Sequence, residues 1–175
     1  MQRVLVMGCS GAGKSTFATA LAARLRLPYV SLDALFWKPG WAEPDREAFG
    51  EIMLREAGRP AWVMDGNYTS HRGGDVRRER ADTVFWFDLP RRVCLAGVLA
   101  RVAKGYGRVR PEMAAGCPEQ LDFGFLKWIW NYRRDHRPKQ LAYLARLRPD
   151  QRLVTFTNRR QADRYLAALA PAGAH

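Results

Sequence analysis

The stretch Gly8-Cys9-Ser10-Gly11-Ala12-Gly13-Lys14-Ser15-Thr16 restricts what this 175-residue chain can fold into more than any other. The apolar run Val4-Leu5-Val6-Met7 precedes it, and an Ala- and Leu-rich segment from Phe17 to Arg26 follows. A short β-branched run closed by glycine reads as a buried strand of a parallel sheet, and the Ala/Leu segment reads as a helix. Strand, glycine-rich turn and helix is the setting in which the pattern G-x-x-x-x-G-K-[ST] holds phosphate. Its glycines let consecutive amide N–H groups converge, and the helix start adds a positive dipole end. Gly8, Ser10, Gly11, Ala12, Gly13, Lys14, Ser15 and Thr16 are therefore expected to bind ATP. Lys14 would reach the β- and γ-phosphates, and the Ser15 hydroxyl would ligate Mg²⁺.

A carboxylate at the end of a neighbouring strand should complete the metal site. The run Ala61-Trp62-Val63-Met64 ends in Asp65 and then Gly66. Asp65 is the expected magnesium-side ligand, the alternative being an Asp-Gly turn with no metal role.

Along the rest of the chain, residues 28–32 read as a short strand leading to Asp33, and 36–41 as a loop too rich in Pro and Gly for regular structure. Asp45 can cap a helix over about 46–57. A brief basic helical stretch follows at 76–80, then a strand at 83–87, and Pro90 opens a helix to about Lys104. Residues 104–118 hold three glycines, two prolines and two arginines with little periodicity. They predict a mobile lid, taken as 104–121. Leu121, Phe125, Trp128, Ile129 and Tyr132 then recur at helical spacing, the period of a buried face rather than of a base-stacking platform. Pro138 interrupts that helix, a segment over 140–148 continues it, and a strand at 152–157 and a helix at 161–170 close the chain. The alternation predicts a single α/β domain over 1–175: a three-layer P-loop NTPase fold with a parallel sheet of about five strands flanked by helices, and a small inserted lid.

Charge bears on partners. Lys and Arg number 29 against 17 Asp and Glu, a net +12; only 5 of the 29 are Lys, leaving 24 Arg. Such a balance suits a polyanionic partner, and Arg suits bidentate phosphate recognition. Cys9, Cys94 and Cys117 are odd in number and form no C-x-x-C pair, so neither a disulfide framework nor a zinc site is indicated, and a reducing cytoplasm is the expected location. No apolar run approaches the ~20 residues a bilayer crossing needs, and Met1-Gln2-Arg3 does not read as a secretory leader.

Phosphoryl transfer needs charge neutralisation at the transferred group. Arg101, before the lid, and Arg108 and Arg110, within it, are candidates for that task; Arg72, Arg77 and Arg159 are candidates at the edges of the triphosphate. For each, a solvated surface charge is the alternative. Asp33 bears on the acceptor. An acceptor phosphate is already anionic and would be repelled by a carboxylate, whereas a hydroxyl benefits from one that takes its proton. Asp33, with Trp37 and Trp41 as pocket walls, therefore favours a nucleoside or small alcohol over a monophosphate, unless it merely caps the following turn.

Taken together, the loop at 8–16, Leu32-Asp33-Ala34-Leu35-Phe36-Trp37, Trp62-Val63-Met64-Asp65-Gly66-Asn67-Tyr68, the run 81–91 and Arg110-Pro111-Glu112 resemble the adenylate-kinase-like proteins labelled DNA topology modulation (FlaR-type) proteins, from Arg3 to about Tyr165. The resemblance implies the fold of nucleoside monophosphate kinases, with ATP and Mg²⁺ at the loop and an arginine-bearing lid. Adenylate kinase itself would carry Asp-Gly-Phe-Pro-Arg where this chain has Asp65-Gly66-Asn67-Tyr68, and an arginine soon after a Thr-Gly-Asp where it has Leu32-Asp33-Ala34, so AMP is not indicated as acceptor. An ATP-binding regulator that contacts DNA through its basic surface is the alternative function, although no helix-turn-helix, zinc finger or RNP motif is present.

Overall fold

The structure, a computed structural model, describes residues 1–169. Five strands form one parallel sheet in the order β2-β3-β1-β4-β5: β1 (Arg3–Gly8), β2 (Tyr29–Ser31), β3 (Trp62–Asp65), β4 (Thr83–Phe87) and β5 (Arg152–Phe156). Helices α1 (Lys14–Leu25), α2 (Leu32–Phe36), α3 (Arg46–Gly58), α4 (Gly74–Arg80), α5 (Arg91–Gly105), α6 (Phe123–Asp135), α7 (Arg137–Leu144) and α8 (Arg159–Ala168) connect and flank them. The central strands are apolar through their middles because helices cover both faces. Val4 to Met7, Trp62 to Met64 and Val84 to Phe87 are all buried. Phe17 of α1 lies edge-on against Phe85, Phe87 and Phe156 at 4.9–5.4 Å.

Register decides where function sits. Val6 and Ser31 both lie opposite Asp65, and Gly8 lies opposite Phe87. The carboxyl ends of β2, β3 and β1 therefore finish together, at the edge where open parallel sheets bind ligands.

Several local expectations need correction. The strand expected over 28–32 ends at Ser31, which accepts from the Ala34 amide at 3.2 Å and starts α2; the loop expected at 36–41 begins with the last residue of that helix and holds a 3₁₀ turn at Pro39–Trp41. Helix α6 begins at Phe123, so Leu121 is exposed rather than core. The segment expected to be a mobile lid, 104–121, makes contacts within itself and with neighbouring chain. Tyr106 pairs with Glu119, Gly40 N–H donates to Gly116, Ser31 Oγ donates to the Glu112 carbonyl, and Trp41 Nε1 donates to Pro118. These bonds join the segment to the end of β2 and to the chain that follows it. The final residue of the expected last helix, Ala170, lies outside the described residues.

Cys9, Cys94 and Cys117 are buried free thiols. Among the described residues no helix is long and apolar enough to cross a membrane.

Just beyond β4, Asp88 receives Nε and Nη2 of Arg137 at 2.8 and 2.6 Å, tying α7 to the sheet. The bidentate guanidinium holds the Asp88 carboxyl below its usual range. A carboxyl with a depressed folded value contributes stability above its unfolded pKa and loses it as pH falls through the folded one. Asp88→Asn is expected to cost about 1–2 kcal/mol at pH 7. That deficit should shrink progressively as pH is lowered below the ordinary carboxylate range, as read by urea denaturation across a neutral-to-acid pH series.

Candidate active site

The phosphate loop is held from beneath by close backbone approach. Gly11 adopts φ 77°, and a Cβ there would strike the Cys94 carbonyl of α5; a Cβ on Gly97 would strike the Gly11 carbonyl in turn. Two glycines thus let a helix lie directly against the loop. Lys14 Nζ donates to the Cys9 carbonyl at 3.2 Å, so its ammonium curls over the loop. Arg159, the first residue of α8, donates Nη2 to the Gly11 carbonyl at 2.6 Å and braces the loop's outer side.

Ser15 Oγ donates to Asp65 Oδ2 at 2.5 Å. Asp65 is 4% exposed, and its other oxygen is buried without a partner. Burial pushes its carboxyl above the usual range, and Lys14 and the Ser15 hydroxyl partly offset this. A hydroxyl plus a carboxylate oxygen with unspent acceptor capacity is a hard-oxygen donor set of the kind Mg²⁺ takes, so the residues fit that ion.

Asn67 joins the loop to the strand that carries Asp65. Its Oδ1 accepts from Gly8 N–H and its Nδ2 donates to the Gly8 carbonyl, both at 3.0 Å. Behind it Arg77, fully buried, donates Nη1 to the Gly66 carbonyl at 2.9 Å and Nη2 to the Asn67 carbonyl. Arg77 therefore holds the turn after Asp65 and does not stand at a triphosphate edge. Arg72, the other candidate there, pairs on the surface with Glu51 at 2.6 Å.

Asp33 lies in the first turn of α2 but is not its cap, which is Ser31. Instead Asp33 Oδ1 accepts the Tyr68 hydroxyl at 2.7 Å, and burial together with this carboxylate raises the Tyr68 phenol well above its usual range. Asp33 opens on a cavity of about 1090 Å³ that Lys14, Trp37, Trp41, Arg101 and Arg110 also line. Arg108 does not line it and is exposed; Thr16 is likewise exposed and outside it.

A further residue, silent in the sequence, controls the lid arginines. Glu119 is 3% exposed; its Oε2 accepts Arg101 Nε at 3.0 Å, and Oε1 pairs with Arg110 Nε. Arg110 Nη1 also reaches Glu112 at 3.2 Å. The α6 stripe needs correction too. Ile129 and Tyr132 are buried, but Phe125 and Trp128 are half-buried and form a wall of the same cavity. Glu119 had no local signature, because its partners lie outside its own segment. Asn67 stood out only as a departure from the adenylate kinase pattern.

A parallel sheet in this order, with a phosphate loop after β1 and a carboxylate ending β3, defines the P-loop kinase-like α/β fold. Solved structures share it. Shikimate kinase from Bacteroides thetaiotaomicron matches with a TM-score of 0.59 at 19% identity, over 95% of this chain and 94% of that one. Shikimate kinase from Acinetobacter baumannii, solved with shikimate, gives 0.53 at 15% over 95% and 91%. Gluconokinase from Sinorhizobium meliloti 1021 gives 0.52 at 23% over 97% and 93%. In sequence, 58 residues are 41% identical to shikimate kinase from Enterococcus faecalis. That match spans about a third of each protein, 32% of this chain and 34% of the relative. No protein-family model matches the chain.

Removing the Asn67 amide leaves both backbone groups of Gly8 unpaired on that side. Asn67→Ala is expected to destabilise the protein by about 2 kcal/mol, two ordinary hydrogen bonds. Chemical denaturation of the variant beside wild type measures it.

Proposed function

We propose that this protein is an ATP- and Mg²⁺-dependent phosphotransferase acting on the hydroxyl of a small acceptor. The observation that carries the reading is that Lys14 of the phosphate loop and the Asp33 carboxylate open on one cavity, with Arg101 and Arg110 on its wall. Similarity to shikimate kinase in sequence, and to shikimate kinases and a gluconokinase in fold, supports it.

Each residue then has a chemical task. The loop amides from Gly8 to Ser15 and Lys14 bind and orient the triphosphate, and Arg159 keeps the loop in shape. Ser15 and Asp65 would hold Mg²⁺, which when bound neutralises phosphate charge. Asp33 orients the acceptor hydroxyl with the carboxylate oxygen that Tyr68 leaves free. As the acceptor oxygen bonds to the γ-phosphorus, its proton passes to Asp33, and the bond from that phosphorus to the β,γ-bridging oxygen breaks to release ADP. Arg101 and Arg110 offset the charge on the transferred group. The protein works as a single kinase domain with 104–121 as its lid.

The FlaR-type resemblance adds the alternative of an ATP-binding DNA regulator. It gains no support, since the related proteins above are metabolite kinases and many arginines are spent inside the fold. Arg77 and Arg78 are buried, while Arg101, Arg110 and Arg137 are paired with carboxylates.

Two substitutions test the kinase reading. Lys14→Ala is expected to lower ADP release with the true acceptor by at least about 100-fold, a transition-state loss of roughly 3 kcal/mol. Asp33→Asn should lower kcat by about 10²–10⁴-fold while ATP affinity is kept. Unchanged turnover in Asp33→Asn would remove the base assignment; unchanged turnover in Lys14→Ala would remove the kinase reading.

A further inference from the structure

The charges around the cavity restrict what the acceptor can be. Arg101 and Arg110 are committed to one buried carboxylate, that of Glu119. Separating a buried carboxylate from two guanidinium groups is expensive, because the charge left behind has no water to solvate it. With Glu112 also on Arg110, the two guanidinium charges are matched by two carboxylates, so the cluster has no surplus positive charge to offer an anionic acceptor. Lys14 serves the ATP phosphates. Of the other cavity cations, Arg146 pairs with Asp75 at 3.2 Å, and Lys139 is exposed to solvent. Burial, with neighbouring cations, keeps the His71 and His136 imidazoles below their usual range and so neutral near pH 7. Among the described residues lining the cavity, no buried cation is left over to receive a carboxylate or phosphate on the acceptor.

The apolar part of the wall is aromatic. The Phe125 and Trp128 rings are stacked with their planes nearly parallel, 10° apart with centroids 5.9 Å from each other, and both are half-buried and line the cavity. Trp37 and Trp41, 5.5 Å apart, wall the same cavity. Its volume of about 1090 Å³ takes in both the phosphate-loop side at Ser10 and Lys14 and the aromatic side.

We infer that the acceptor is an uncharged alcohol bearing an aromatic or heteroaromatic ring, the ring packing against the aromatic wall at Trp128 and the hydroxyl on Asp33. The inference rests on the phosphotransfer reading above and narrows its substrate. It also separates this chain from the kinases it resembles, since shikimate and gluconate are carboxylates. Glu119 becomes the specificity-determining residue: by holding both arginines it denies an anionic acceptor its counter-charge.

The test is ADP release from Mg-ATP with four groups of acceptors: nucleosides and aryl alcohols; the hydroxy acids shikimate and gluconate; nucleoside monophosphates; and ring-free or sugar polyols. Wild type is expected to favour the first group by at least about tenfold in kcat/KM. Trp128→Ala should raise the KM of that acceptor by about tenfold with kcat little changed, the size expected for a lost ring stack. Glu119→Gln, which frees guanidinium charge, should narrow the preference against hydroxy acids by about tenfold, one charge-assisted hydrogen bond. A hydroxy acid, a monophosphate or a polyol as the best wild-type substrate would overturn the inference and leave the phosphotransfer reading standing. No Lys14-dependent ADP release with any group would overturn both. The wild-type panel decides even where Glu119→Gln fails to fold.

Discussion

One side-chain amide connects the two halves of the phosphate site. Asn67 answers both the N–H and the C=O of Gly8, so the residue that opens the phosphate loop is bonded as though a further strand ran beside it. Asp65 lies two positions earlier, and Ser15 reaches across to it. The loop, the carboxylate and the hydroxyl therefore keep their spacing only while the turn at Gly66 and Asn67 keeps its shape. Arg77 supplies that constraint from inside the protein, where a cation normally needs an acid and here has backbone carbonyls instead. Burial draws its pKa down, a cost that the rigid turn offsets.

On the opposite side of the cavity, order comes from charge. The lid would be a loose excursion on its composition, yet Glu119 draws Arg101 from α5 and Arg110 from the lid onto one carboxylate. Backbone and side-chain bonds from Ser31, Gly40 and Trp41 then join the same segment to the end of β2 and the chain after it. The two sides of the cavity are in this way joined through one segment.

What could be read from the sequence was whatever is written in contiguous residues. The loop from Gly8 to Ser15, the apolar run into Asp65 and the carboxylate at Asp33 each sit within a few residues of the strand that positions them, and the alternation of strands and helices predicts the observed sheet. Arg77 could not be read, because a basic residue on a short helix looks solvated until the strands place it under Gly66. Glu119 was hidden for the same reason: Arg101 is 18 residues away. Helix α2 was missed because five residues are too few for periodicity and its cap, Ser31, also ends β2. The spacing of Phe125, Trp128 and Tyr132 gave the correct face of α6, but periodicity cannot say whether a face meets core or cavity.

The bond from Arg159 to Gly11 spans 148 residues of chain. A loop whose pattern is complete by residue 15 thus waits for a side chain translated near the end of the described chain before it is braced. Contacts of such long sequence separation form late in folding, because loop-closure entropy must be overcome first. Nucleotide binding would then report that β5 and α8 have docked, so nascent chains shorter than this remain poor at capturing ATP even with their phosphate motif fully synthesised.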